Sequence, residues 1–225
     1  MTQSSSLVDA FTTHPLGLCG QHDPARVLAD VEPLERRVNL LAFGAVVSTT
    51  PLSQQHWTSL TANRDSWLFD PSQVAYQPSP AVSVAIQNLN IGAPGFMGRV
   101  WWQICRGVQG RFKGSWRSLF QSNADDTQRL LGFFGQSKAA FPVLSGPVIS
   151  PRWLDLVHRI GGIPLSGWES LTVPLAPGQS EAASAFGITG QEVHPLVSAA
   201  LSTWSAACQS LLPDSCGFPS CPRRQ

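Results

Sequence analysis

Residues Phe141 to Ile188 read FPVLSGPVISPRWLDLVHRIGGIPLSGWESLTVPLAPGQSEAASAFGI. An apolar approach ends in the tight turn Leu144-Ser145-Gly146-Pro147. An amphipathic run follows, predicting a helix over Pro151–Ile160 with proline in its first turn. Gly161-Gly162 closes that helix, and a linker spans Leu165 to Pro177. A second helix is expected from Glu181 to Phe186, with Gly187 at its C′ position. The order helix, turn, helix decides the fold: the chain is expected to be all-α.

The same reading extends outward. Asp23-Pro24 offers an N-cap and first-turn pair for a helix from Ala25. Pro33 opens another, with Leu34, Val38, Leu41 and Ala45 at helical spacing. Pro51 and Ser53 restart a short helix carrying Trp57 and Leu60. The prolines between Asp70 and Pro80 predict a loop. Ala81–Leu89 fits a strand or a helix equally well. Gly92–Gly98 reads as a turn, Arg99–Val108 as a strong helix, and Ser115–Gln121 and Asp125–Phe134 as two shorter ones. A last helix is expected from Val193 to Cys208, with Pro195 in its first turn. The organisation expected is a leader over 1–24, a helical domain over 25–207 and a cysteine-containing tail over 208–225.

Composition bounds what such a chain does. Of 225 residues, 43% are apolar and only 13% charged, with a formal net charge of +1. That excludes a disordered chain and a uniformly basic coat, while leaving room for a local basic patch. No apolar run is long enough to span a membrane, and the first residues lack a basic leader with an apolar block. The odd count of five cysteines argues against a disulfide framework and for a reducing, cytoplasmic setting. The five histidines form no sequence cluster, and no phosphate loop, dinucleotide fingerprint or serine elbow is present.

The turn at Gly146 and the later Val173-Pro174-Leu175 resemble the core of the helix-hairpin-helix DNA glycosylase superfamily. In that family a Leu-Pro-Gly-type hairpin leads into a helix, and a Val-Pro-Val-Asp-type turn opens the helix that ends in Leu-Gly. Here Phe186-Gly187 stands at the Leu-Gly pair, and the family's catalytic Asp falls on Ala176. The hairpin has Ser145 for Pro and lacks the second glycine. The lysine of bifunctional members is absent. The resemblance covers about fifty residues. It implies a two-lobed helical bundle of the glycosylase type and DNA as the partner.

A hairpin of this kind holds a DNA phosphate with outward-pointing amides at a helix N-terminus. Ser145, Gly146, Val148 and Ser150 are the expected contacts. Arg152 sits in the first turn, where a cation opposes the helix dipole unless an anion is near. The missing acid matters for chemistry. Glycosidic cleavage builds positive charge on the sugar, and a carboxylate beside it supplies on the order of 10²–10⁴ in rate. Asp155, Glu169 and Glu181 are the nearby carboxylates that could stand in for it.

From Arg99 to Asn123 there is no acidic residue. Arg99, Arg106, Arg111, Lys113 and Arg117 alternate with Trp101, Trp102, Phe112 and Trp116. Cations beside flat aromatic faces can grip a phosphate backbone and stack a base. Such a run equally describes helices that bury tryptophan and turn arginine to solvent.

The tail carries Cys208, Cys216 and Cys221. Many family members place an iron-sulfur loop at this point, with ligands spaced Cys-x6-Cys-x2-Cys-x5-Cys. Here the intervals are seven and four, and a fourth thiolate would have to come from Cys19 or Cys105. A zinc site completed by His158 or His194, or a tail that binds no metal, fits the same residues. Three functions follow: a DNA-binding glycosylase-like protein with a degenerate catalytic site, an active base-excision glycosylase using a displaced acid, or a helical module that binds a protein partner.

Overall fold

The computed structural model describes residues 25–48, 52, 54–91, 93, 95–175, 179–185, 188–195, 197, 198 and 201. The chain divides into two units, one from Asp23 to Trp168 and one that begins at Glu169. Both the expected leader over 1–24 and the tail over 208–225 lie outside the described residues.

Among its described residues the first unit is built of helices, with one isolated β-bridge between Asp126 and Ser166. Its α-helices are α1 (Ala25–Leu28), α2 (Leu34–Val47), α3 (Gln54–Ala62), α4 (Pro71–Val74), α5 (Ser79–Asn88), α6 (Met97–Phe112), α7 (Trp116–Ser122), α8 (Thr127–Gln136) and α9 (Ile149–Arg159). Short 3-10 turns at Trp67–Phe69 and Val143–Ser145 link them. In α2, Val38, Leu40, Leu41, Ala42, Phe43, Val46 and Val47 are all buried, so from Leu40 onward the helix is apolar nearly all round and runs through the core. Helices α6 and α9 pack against it. Phe43 meets Phe69 and Trp101 edge to face, with centroids 4.8 and 5.3 Å apart. A second aromatic cluster joins Trp116, Phe120, Phe134, Phe141 and Trp153.

Caps explain several boundaries. Asp70 Oδ1 accepts from the Ser72 amide at 2.8 Å and Pro71 fills the first turn, so the proline-rich stretch expected to be a loop contains α4. Ala81–Leu89, where periodicity could not choose, is helical to Asn88 within α5, with Pro80 in the first turn and Leu89 as the C-cap, and α5 packs on α6. Gly98 lies inside α6 instead of a turn, and its lack of a side chain lets Ser83 of α5 approach closely. The first turn of α7 is tied from far away: the Trp116 amide donates to Glu35 Oε1 at 3.0 Å.

In the second unit, β1 (Val173–Pro174) pairs antiparallel with β2 (Glu192–Val193), Val173 opposite Val193. Between them runs α10 (Ser180–Ala185). Val193, expected to open the last helix, instead ends this ribbon. Gln179 and Ser198 are both buried, and Gln179 Nε2 donates to the Ser198 carbonyl at 2.8 Å. The described residues are mostly helical with one two-stranded ribbon, in keeping with an all-α chain.

Candidate nucleic-acid interface

The turn before α9 is closed by its own polar groups. Gly146 is extended (φ −87°, ψ 154°), a conformation open to any residue, so the glycine's special freedom goes unused. Its amide donates to the Val143 carbonyl at 3.2 Å. Ser145 Oγ donates to the Pro142 carbonyl at 2.8 Å. Ser150 is 1% exposed and its hydroxyl donates to the Leu144 carbonyl. Val148 borders α9 without a side-chain cap, and the half-buried Arg152 has its pKa lowered by loss of hydration. Of the expected phosphate contacts, Ser150 therefore points inward and the Gly146 amide serves the turn itself.

The carboxylate closest in sequence to this turn is also committed. Asp155 is buried, and Arg159 Nε donates to its Oδ1 at 2.8 Å. Trp168 Nε1 donates to the same oxygen at 3.0 Å, and the Trp168 ring stacks on His158 at 4.6 Å. His158 Nδ1 in turn accepts from the Leu165 amide at 3.1 Å. This arrangement ties the loop after α9 to its helix; it leaves Asp155 no free oxygen face for a sugar and His158 no free Nδ1 for zinc. Glu169 is exposed, while Glu181 belongs to α10. Ala176 lies outside the described residues.

Cys208, Cys216 and Cys221 also lie outside the described residues, as does Cys19. Cys105 is buried on the inner face of α6, and burial, aided by Asp70, pushes its thiol pKa well up. It is placed for packing, not for a shared thiolate site. Among the described residues, no three His, Cys, Asp or Glu side chains converge as a metal site requires. Among the same residues, no helix is long and apolar enough to cross a membrane.

The basic run is where exposed charge gathers. Helix α6 buries Met97, Trp101, Ile104, Cys105 and Val108. Its opposite side carries Arg99, Gln103, Arg106 and Gly110, and Lys113 follows in the left-handed C-cap (φ 54°). These positions recur at three- and four-residue intervals, so they form one ridge about 20 Å long. Arg99, Arg106 and Lys113 are exposed along it. Arg111 turns off the ridge, donating to Ser137 Oγ at 2.9 Å beside the Phe133 ring. Arg117 is partly exposed on α7.

The tryptophans split. Trp101 and Trp116 are fully buried, and Trp101 Nε1 donates to the Leu68 carbonyl at 2.8 Å. They are core residues and cannot stack a base. Trp102 is half-buried beside the ridge. Its Nε1 donates to the Gln77 carbonyl at 2.8 Å, and the Arg106 guanidinium lies 4.8 Å over its ring.

Two further features were missed from sequence. The acid-free tract is longer than Arg99–Asn123: no Asp or Glu occurs from Pro71 to Ala124, the segment that folds into α4, α5, α6 and α7. Asp70, just before it, is spent capping α4, and Glu35 of α2 accepts from the first turn of α7. Secondly, Tyr76, the single tyrosine of the chain, is 77% exposed, and its hydroxyl accepts from Gln109 Nε2 of α6 at 3.2 Å. A count of acidic residues in a longer window would have found the first; nothing local signals the second.

In the second unit a cleft of about 710 Å³ lies between the ribbon and α10, lined by Leu175, Ser180, Ser184, Thr189, Gln191 and Glu192. Its lining brings no cation to the site. Comparison of the chain with known protein families, with characterised proteins and with solved structures gives no match.

Proposed function

We propose that this chain is a DNA-binding protein of the helix-hairpin-helix glycosylase type whose catalytic site is degenerate, and that it engages the phosphate backbone through the outer ridge of α6. The observation that carries the reading is the ridge itself. Three exposed cations, Arg99, Arg106 and Lys113, share one helical face, within a tract that has no carboxylate from Pro71 to Ala124. The tract carries five cations and no acid while the whole chain is only +1, so the remainder is net negative and positive charge is concentrated here. The hairpin contributes less to this reading than its sequence implies, because its own turn uses the Gly146 amide and the Ser150 hydroxyl.

Glycosylase chemistry is not part of the reading. The family's acid position is Ala176, and Asp155, a carboxylate that could stand in for it, is held by Arg159 and Trp168. Binding of a fluorescent duplex, followed by anisotropy at two salt concentrations, tests the proposal. The expected result is binding that falls steeply with salt and is lost in Arg99→Glu/Arg106→Glu/Lys113→Glu. A damaged duplex incubated with the protein and treated with alkali is expected to stay intact. Absence of any salt-sensitive binding at low ionic strength would overturn the reading.

A further inference from the structure

Beside the ridge, aromatic groups alternate with its cations. Phe96, which immediately precedes α6, is 62% exposed. Arg99 follows one turn on, Trp102 three residues later, and Arg106 stacks on Trp102 at 4.8 Å. Tyr76 completes the row, brought to α6 by the loop between α4 and α5. Its hydroxyl is held by Gln109 and the next residue, Gln77, accepts from Trp102 Nε1. The Tyr76 ring is thus fixed at both its own tip and its backbone neighbour while most of its surface faces water.

Among the described residues, Tyr76 and Phe96 are the exposed large aromatic side chains, and both lie beside α6. An isolated apolar patch would suit an apolar partner. This one is interleaved with guanidinium groups in a tract that has no carboxylate from Pro71 to Ala124, which favours a ligand that is both anionic and flat-faced. A duplex hides its base faces in the stack, so it meets the cations only. A single strand offers phosphates and open base faces at once.

We infer that the Phe96–Arg99–Trp102–Arg106–Tyr76 face is a single-stranded DNA platform, in which Arg99 and Arg106 hold phosphates and Tyr76 stacks a base. The inference rests on the DNA-binding reading of the same ridge and adds the class of DNA it takes. The stacking comes from the ring, and the Trp102–Gln77 bond still holds the adjoining backbone when the hydroxyl is removed, so phenylalanine retains the function and alanine loses it.

The test uses the full chain and three labelled probes: an oligothymidylate of about 16 nucleotides, its duplex, and a strand of equal length in which abasic spacers replace the bases. Expected is a preference for the oligothymidylate of about tenfold or more over the spacer strand, the scale of one stacked base. Tyr76→Ala is expected to erase most of that preference, with binding of the spacer strand unchanged, while Tyr76→Phe keeps it. Arg99→Glu weakens all three probes. Circular dichroism confirms that the variants fold, which the exposure of Tyr76 favours. Equal affinity for the oligothymidylate and the spacer strand, or a Tyr76→Ala variant indistinguishable from the parent, overturns the platform while leaving the charged ridge standing. Failure of all three probes to bind overturns the ridge and the platform together.

Discussion

Asp155 and Arg159 face each other one helical turn apart on α9, and the carboxylate is buried while the guanidinium reaches partly to water. Trp168 adds a third hydrogen bond from beyond the loop. The grouping is a structural tie in the position where a displaced catalytic acid would have been sought. Asp155→Ala leaves Arg159 and the indole N–H without their acceptor. We expect a loss of about 3 kcal/mol in urea denaturation, at the low end for a broken buried pair because Arg159 can turn toward solvent. Asp155→Asn keeps an acceptor for Trp168 and is expected to cost less.

Two glycines of α6 should respond in opposite ways. Gly98 lies where α5 crosses, and an added Cβ would meet both the main chain and the hydroxyl of Ser83. Gly98→Ala is expected to destabilise by about 1–3 kcal/mol, despite the gain in helix propensity. Gly110 has nothing within contact of the same atom. Gly110→Ala is expected to stabilise by about 0.5–1 kcal/mol, read as a rise in thermal midpoint.

Cys105 should be inert in the folded chain. Burial raises its thiol pKa, and the Asp70 carboxylate raises it further, so almost no thiolate forms near neutral pH. Peptide-resolved mass spectrometry after iodoacetamide treatment at about pH 8 is expected to find Cys105 unmodified, and modified only once urea is added.

Asp126 caps α8, and the Arg129 amide that donates to it at 2.9 Å holds its carboxyl below the usual range. A depressed folded pKa stabilises the native state above the unfolded pKa and ceases to do so as pH falls through the folded value. Asp126→Asn should therefore lower the thermal midpoint near neutrality, and the difference from the parent should shrink progressively below the ordinary carboxylate range.

The ridge predicts a salt signature. If Arg99, Arg106 and Lys113 each neutralise one phosphate of a duplex, log affinity against log salt has a slope of about −3. Each single substitution by glutamate should reduce that slope by about one, whatever the DNA sequence. Substituting Arg111, which is turned toward Ser137 and Phe133, should change the slope little.

Much of this was already written locally. The two faces of α6 follow from spacing alone, since Trp101, Ile104, Cys105 and Val108 fall on one side and Arg99 and Arg106 on the other. The Asp-Pro cap that starts α4 was equally legible at Asp70-Pro71, although the prolines around it suggested a loop. Helical content, the cationic stripe and the lack of nearby acid are properties of neighbours in the chain, and a 3.6-residue period carries them. Whether a given polar or aromatic side chain is available depends on what packs over it. That is why Ser150 turned out to close its own turn, why Trp101 went to the core and Trp102 to its margin, and why Tyr76 came to stand beside Gln109, thirty-three residues away. Those pairings arise only when separate helices meet, and no short-range pattern encodes them.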